Sequence, residues 1–187
     1  MVVNYFGDGC FRLQSGDLSL LVNSTNNRLK GDVLLKTLTL TEVPNGNDEI
    51  AFPGEYETKG IEIQGWPLES ESTDKFVKTV YAVDWEDMRF VFLGHISKPL
   101  TSEVVEELGE PDVVFIPTGD PHFIAPQDAA KIVKQLEPAV VIPGFFKNPN
   151  DFVKAMGSKA ETIEKFVFKK KDLAELKNKV VVVESKS

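Results

Sequence analysis

One cysteine, two histidines and three arginines are all that this 187-residue chain has of those residue types. Each scarcity excludes something. A single Cys10 rules out an internal disulfide and fits a reducing compartment. Two histidines, His95 and His122, are all the imidazoles that a metal centre could draw on. No apolar run approaches the roughly 18 residues of a spanning helix. The N-terminal MVVNYFGDGCF has no basic start, apolar core or small-residue cleavage site, so the expected location is the cytoplasm. Positive charge is also in short supply. With a net charge of -8 and a lone basic run at Lys169 to Lys171, neither nucleic acid nor an anionic membrane is an expected partner.

What is present is ordinary for a folded chain: 42% hydrophobic and 27% charged residues, enough to bury a core as one domain over 1–187. Two textures follow one another. Up to about Leu100 the pattern is strands and turns: VVNYF, CFRLQ, LSLLVN, DVLLKTLTL, EIAF, GIEIQGW, TVYAV and RFVFLGH, separated by SGD, NSTNN, PNGND and DWEDM. From Thr101 helices alternate with short, wholly apolar strands such as VVFIP and VVIP, as in sheets covered on both faces. Helices are expected over 101–108, stopped by Gly109, from Pro126 to the residue before Pro138, over 151–156 ahead of Gly157, and over 172–176 before the closing strand VVVVE. The segment TLTLTEV alternates apolar and hydroxyl residues and reads as the end of a half-buried strand.

Several polar groups invite a chemical reading. Cys10 with His95 could form a nucleophilic pair if the imidazole took the thiol proton; alternatively, Cys10 is a buried small hydrophobe. Glu55 and Glu57 share one face of a strand and could be an acid/base pair, although a solvated face is the simpler account of them. Gly119-Asp120-Pro121 reads most simply as a turn.

The order and spacing of GDGCFRLQSGDLSLLVNS, PGEYETKGIEIQG and FLGHISKPLTSEVVEELGEPDVVFIPTGDPHFIAPQDAAKIVKQLEPAVVIPGFF resemble the metallo-β-lactamase-fold hydrolases, in particular the small bacterial branch similar to L-ascorbate-6-phosphate lactonase. The resemblance implies an α/β fold, a four-layer αββα sandwich with the site along one edge of its paired sheets. It also implies a metal-ligand motif THxHxDH at the end of the TLTLTEV strand. There Thr37 keeps the threonine place, Leu38 and Leu40 stand at the first two His places, Glu42 at the Asp place and Val43 at the third His place. His95 falls on the bridging Asp and Phe145 on the final His. The opening His is replaced by Asp8, and a following Asp-Pro by Asn23-Ser24. Leucine, valine and phenylalanine have no lone pair to offer a metal.

Three readings follow from this resemblance. One is a degenerate member that has lost its metal ligands and its cofactor and acts by binding a protein or small molecule, with a homo-oligomer left open. Another is a hydrolase with a relocated single site for zinc, manganese or iron built from Asp8, Glu42, His95 and His122, or a metal-free one using Cys10. The third is a structural subunit of a larger assembly. The family's substrate entrance would place Gly119, Asp120, His122 and Phe145 beside any ligand, and Phe145 with Phe146 would fill the space of the lost ion or line an apolar pocket.

Overall fold

In the computed structural model, which describes residues 1–42, 49–119 and 121–186, two sheets face one another. The first runs in the order β14 (Phe166–Val167), β1 (Val2–Tyr5), β2 (Phe11–Ser15), β3 (Leu18–Val22), β4 (Val33–Leu35), β6 (Glu49–Ile50). The second runs β13 (Glu161–Ile163), β15 (Lys179–Val183), β12 (Val140–Gly144), β11 (Val113–Pro117), β10 (Met88–Phe92), β9 (Phe76–Trp85), β8 (Ile61–Pro67), β7 (Gly54–Thr58). The short β5 (Leu38–Leu40) pairs with β9 beyond the end of β10.

Alternation builds the inner core. Val3, Tyr5, Phe11, Leu13, Leu20, Val22, Val33 and Leu35 point from the first sheet onto Ile61, Ile63, Tyr81, Val83, Phe90, Phe92, Phe115 and Ile142 of the second. The opposite faces of β9 to β12 and β15 carry Val80, Ala82, Val91, Val114, Ile116, Val141 and Val180, which pack under the helices. That two-sided burial explains the wholly apolar runs, since β10, β11, β12 and β15 lie parallel with both faces covered.

The helices are α1 (Ser102–Leu108), α2 (Pro126–Leu136), α3 (Asn150–Met156) and α4 (Lys170–Leu173). Thr101 caps α1 through its side chain and Gly109 ends it at φ 68°. Pro126 opens α2, whose Ala129, Ile132, Val133 and Leu136 form the buried stripe. The last helix lies slightly earlier than its pattern suggests because Asp172 accepts the backbone N–H of Lys169 and closes the first turn there.

The metallo-β-lactamase type of sandwich is as expected, with one difference in its layers. Among the described residues, α1 to α3 cover the second sheet and no helix covers the first; the β3–β4 crossover there is an extended loop, with Gly31 against Leu21. The run DVLLKTLTL is likewise two strands and not one. It breaks at Lys36-Thr37, so β4 stays in the first sheet while β5 joins the second. Among the described residues no helix is long and apolar enough to cross a membrane.

Candidate functional site

One edge of the sandwich collects the ends of β3, β4, β10, β11 and β12, and with them Asn23, Thr37, His95, Thr118 and Phe145. Ligand sites in sheets of this kind form where strand ends leave a crevice. Here a polar chain runs inward from His95. Its Nδ1 lies 2.7 Å from Thr37 Oγ1, which lies 3.0 Å from Asn23 Oδ1. The Thr37 backbone N–H donates to the same Asn23 oxygen at 2.9 Å, and a backbone N–H can only donate, so the carboxamide orientation is fixed. The Thr37 hydroxyl then spends its proton on Asn23 and can only accept from His95. The imidazole is therefore the Nδ1–H tautomer, with its lone pair on Nε2.

Burial, aided by the Lys78 ammonium, pushes the His95 pKa down to about 4. The ring is neutral through the physiological range. Its loop is held by Glu71, whose carboxylate accepts from the backbone N–H and hydroxyl of Ser97, the backbone N–H of Lys98 and the Lys78 ammonium. Burial alone would raise the Glu71 pKa, but the hydrogen bonds from Ser97 and Lys78 outweigh it and leave it lowered. Gly94 is required beside this chain: at φ 52° it approaches Thr37 so closely that a Cβ would lie 2.1 Å from Oγ1.

Over the imidazole stand two phenylalanines. Ring centroids are 4.8 Å apart for His95 and Phe145, 5.9 Å for His95 and Phe123, and 4.4 Å for Phe123 and Phe145. Phe145 holds its ring there from a left-handed backbone, φ 53°, with its N–H donated to the Tyr5 hydroxyl at 3.1 Å. The ring presses on Gly9, where a Cβ would meet it at 2.0 Å. The crevice lined by Gly9, Phe11, Asn23, Phe92, Gly94 and Phe145 keeps about 10 Å³, the room of a single water.

The residues singled out in the sequence separate in the structure. His95 and Phe145 meet. Asp8, Glu42 and His122 are exposed, and it is Phe123, the neighbour of His122, that reaches the imidazole. Leu38 and Leu40 are 36% and 59% exposed while Thr39 between them is buried, so β5 turns its hydroxyl inward and its leucines out. Gly119 is exposed, at φ 84°. Val43 and Asp120 lie outside the described residues. Cys10 is buried in the turn after β1, and burial pushes its thiol up to about 11, the opposite of an activated nucleophile. Glu55 and Glu57 are exposed on the edge strand β7.

The donors among the described residues do not fit a metal ion. Leu38, Leu40 and Phe145 offer no lone pair, the His95 Nδ1 proton is committed to Thr37, and among the described residues no three His, Cys, Asp or Glu side chains converge. Sequence reasoning did not foresee the Asn23–Thr37–His95 chain, the Phe123 contact, or the Glu71 latch. Phe123 stood beside a flagged histidine, but the partners of Thr37 and Glu71 are 58 and 26 residues away.

Comparison with known proteins agrees with this architecture. A model of the β-lactamase superfamily domain matches residues 2–144. A metal-dependent hydrolase of Methanopyrus kandleri is 28% identical over 104 residues, 51% of this chain and 45% of the relative, and one of Archaeoglobus fulgidus is 28% identical over 96 residues, 48% and 42%. The matched stretch thus spans less than half of either relative. Among solved structures, a candidate Zn-dependent hydrolase of the metallo-β-lactamase superfamily from Thermotoga maritima superposes with a TM-score of 0.80, 24% identity and 99% of both chains covered. A metallo hydrolase from Ignicoccus hospitalis gives 0.64, 19% identity, 90% of this chain and 99% of that one. These likenesses show the fold. With the family model covering most of its length, the chain belongs to the β-lactamase superfamily domain family.

Proposed function

We propose that this chain is a metal-independent member of its family that acts by binding and not by hydrolysis. The observation that carries the reading is the Phe145 ring, seated on Gly9 and against His95, at the place where the family resemblance expects the last metal-binding histidine. Its ring fills the crevice to about 10 Å³, and Leu38 and Leu40 add no donor. A hydrolytic metal needs ligands on several sides and one open position for water; among the described residues this site supplies one imidazole lone pair.

A relocated single-metal centre is the competing reading. Against it stand the exposed positions of Asp8, Glu42 and His122, which are not drawn into a cluster with His95. The relatives named as metal-dependent hydrolases keep hydrolysis in view as the alternative for this chain.

The test is elemental analysis of protein purified without chelator or nickel resin, together with melting curves with and without EDTA, zinc and manganese. The expected result is no stoichiometric metal and no shift. Near one equivalent of metal, a melting temperature that falls on chelation, and loss of both in the His95→Ala His122→Ala double variant would overturn the proposal.

A further inference from the structure

Far from the histidine, the outer face of the second sheet is open along β7 and at the Glu62 and Asp84 positions of β8 and β9. Cross-strand register places Glu57 opposite Glu62, Glu62 opposite Asp84, and Asp84 opposite Arg89. Three carboxylates therefore stand in one row on one face, each directly opposite the next, with a single cation at the end. Residues so opposed have Cβ atoms about 5 Å apart, and like charges there are destabilising. Glu57 and Glu62 are exposed, and among the described residues no ion pair reaches either of them. Glu55, Glu86 and Glu110 add to the same region, while the nearby cations are already engaged: Arg89 with Asp84 at 2.7 Å and Lys170 with Asp112 at 2.7 Å.

Shape adds a second, independent feature. The acidic row floors a groove of about 510 Å³ that continues into another of about 370 Å³, the two sharing Glu62 and Asp84. Beside it β7 is the last strand of its sheet, paired to β8 on one side and, among the described residues, to no strand on the other. An open edge offers backbone N–H and C=O groups to any extended chain laid along it. Glu55 and Glu57, two residues apart, both face the groove, which matches the period of a strand carrying basic side chains at alternate positions.

We propose that this face docks an extended, lysine- or arginine-rich segment of another protein, which adds to β7 as a further strand and sets basic side chains at alternate positions opposite Glu55 and Glu57, at the open end of the acidic row. Charge complementarity selects the occupant. A second copy of this chain, itself at net charge -8, would bring the same carboxylate row to the edge and be repelled.

The test uses a short fluorescent peptide of alternating lysine and valine, with the full-length protein, read by anisotropy and by amide chemical-shift mapping. The expected result is saturable binding that weakens with salt and moves the amides of β7, β8 and the β9–β10 turn. Affinity should fall about tenfold or more in a Glu55→Gln Glu57→Gln variant and for a peptide N-methylated on its bonding edge, but little in a Glu106→Gln Glu107→Gln variant on α1. Far-UV circular dichroism confirms that both variants are folded. Absence of saturable binding overturns the proposal. So does equal binding of the N-methylated peptide, or an equal loss in the α1 variant, either of which reduces the effect to diffuse attraction by an acidic protein.

Discussion

His95 donates Nδ1–H to Thr37 Oγ1 across 2.7 Å, and Thr37 passes its own proton to Asn23. This relation fixes the tautomer of the only imidazole in the crevice and points its lone pair away from the core. The first consequence is a pH dependence. The His95 pKa is about 4 in the folded protein, against about 6.5 in an unfolded chain. The unfolded state therefore binds the proton more readily between those values. Stability from this group is complete above about pH 6.5 and is lost as the pH falls toward 4, by about 1–3 kcal/mol. Melting curves across that window should show a steeper acid loss in the wild type than in His95→Gln. Identical slopes would show that the imidazole is not protected in the fold. Nitrogen shifts should in addition report a protonated Nδ1 at neutral pH.

Thr37→Val removes the hydroxyl and leaves both the His95 Nδ1–H and part of the Asn23 oxygen without a partner. The expected cost is about 1–3 kcal/mol. Because Asn23 and Thr37 act in one chain, the Asn23→Ala Thr37→Val double variant should lose clearly less than the sum of the single losses. Denaturant midpoints of the four proteins decide the point, and additive losses would show the hydrogen bonds to be independent.

Gly9 and Phe145 form the second coupled pair. Gly9→Ala places a methyl into the Phe145 ring and also strains a backbone at φ 70°, so a loss of about 2–4 kcal/mol is expected. Removing the ring as well, in Gly9→Ala Phe145→Ala, should recover part of this loss, while the backbone strain remains. Thermal or denaturant unfolding measures it, and a double variant no more stable than Gly9→Ala would mean that the ring moves aside freely.

Cys10 should be silent in the native state. Burial raises its thiol to about 11, so a thiol-specific reagent near pH 8 should label it slowly in the folded protein and fully on denaturation. Rapid native labelling would restore it as a candidate nucleophile.

Much of the scaffold was legible in the chain. The wholly apolar VVFIP and VVIP runs announced strands buried on both faces, the helical stripe of Ala129, Ile132, Val133 and Leu136 showed its inward side, and Thr101, Gly109, Pro126 and Gly157 marked helix ends. These signals are local: period, cap and stop depend on residues within a turn or two of each other. The same reasoning joined β4 to β5, because nothing in DVLLKTLTL marks the break at Lys36-Thr37.

By itself, then, the sequence determined the order of the four helices and of most strands, though not the short β13 and β14, and the absence of lone pairs at Leu38, Leu40 and Phe145. Only the tertiary structure decided that β5 turns its leucines to solvent, that His95 finds Thr37 and Asn23, that Phe145 lies on Gly9, and that Glu57, Glu62 and Asp84 fall in one row. The physical reason is sequence distance. Side-chain character and local periodicity are properties of short segments, whereas register between strands and contact between loop ends are set by the packing of the whole core.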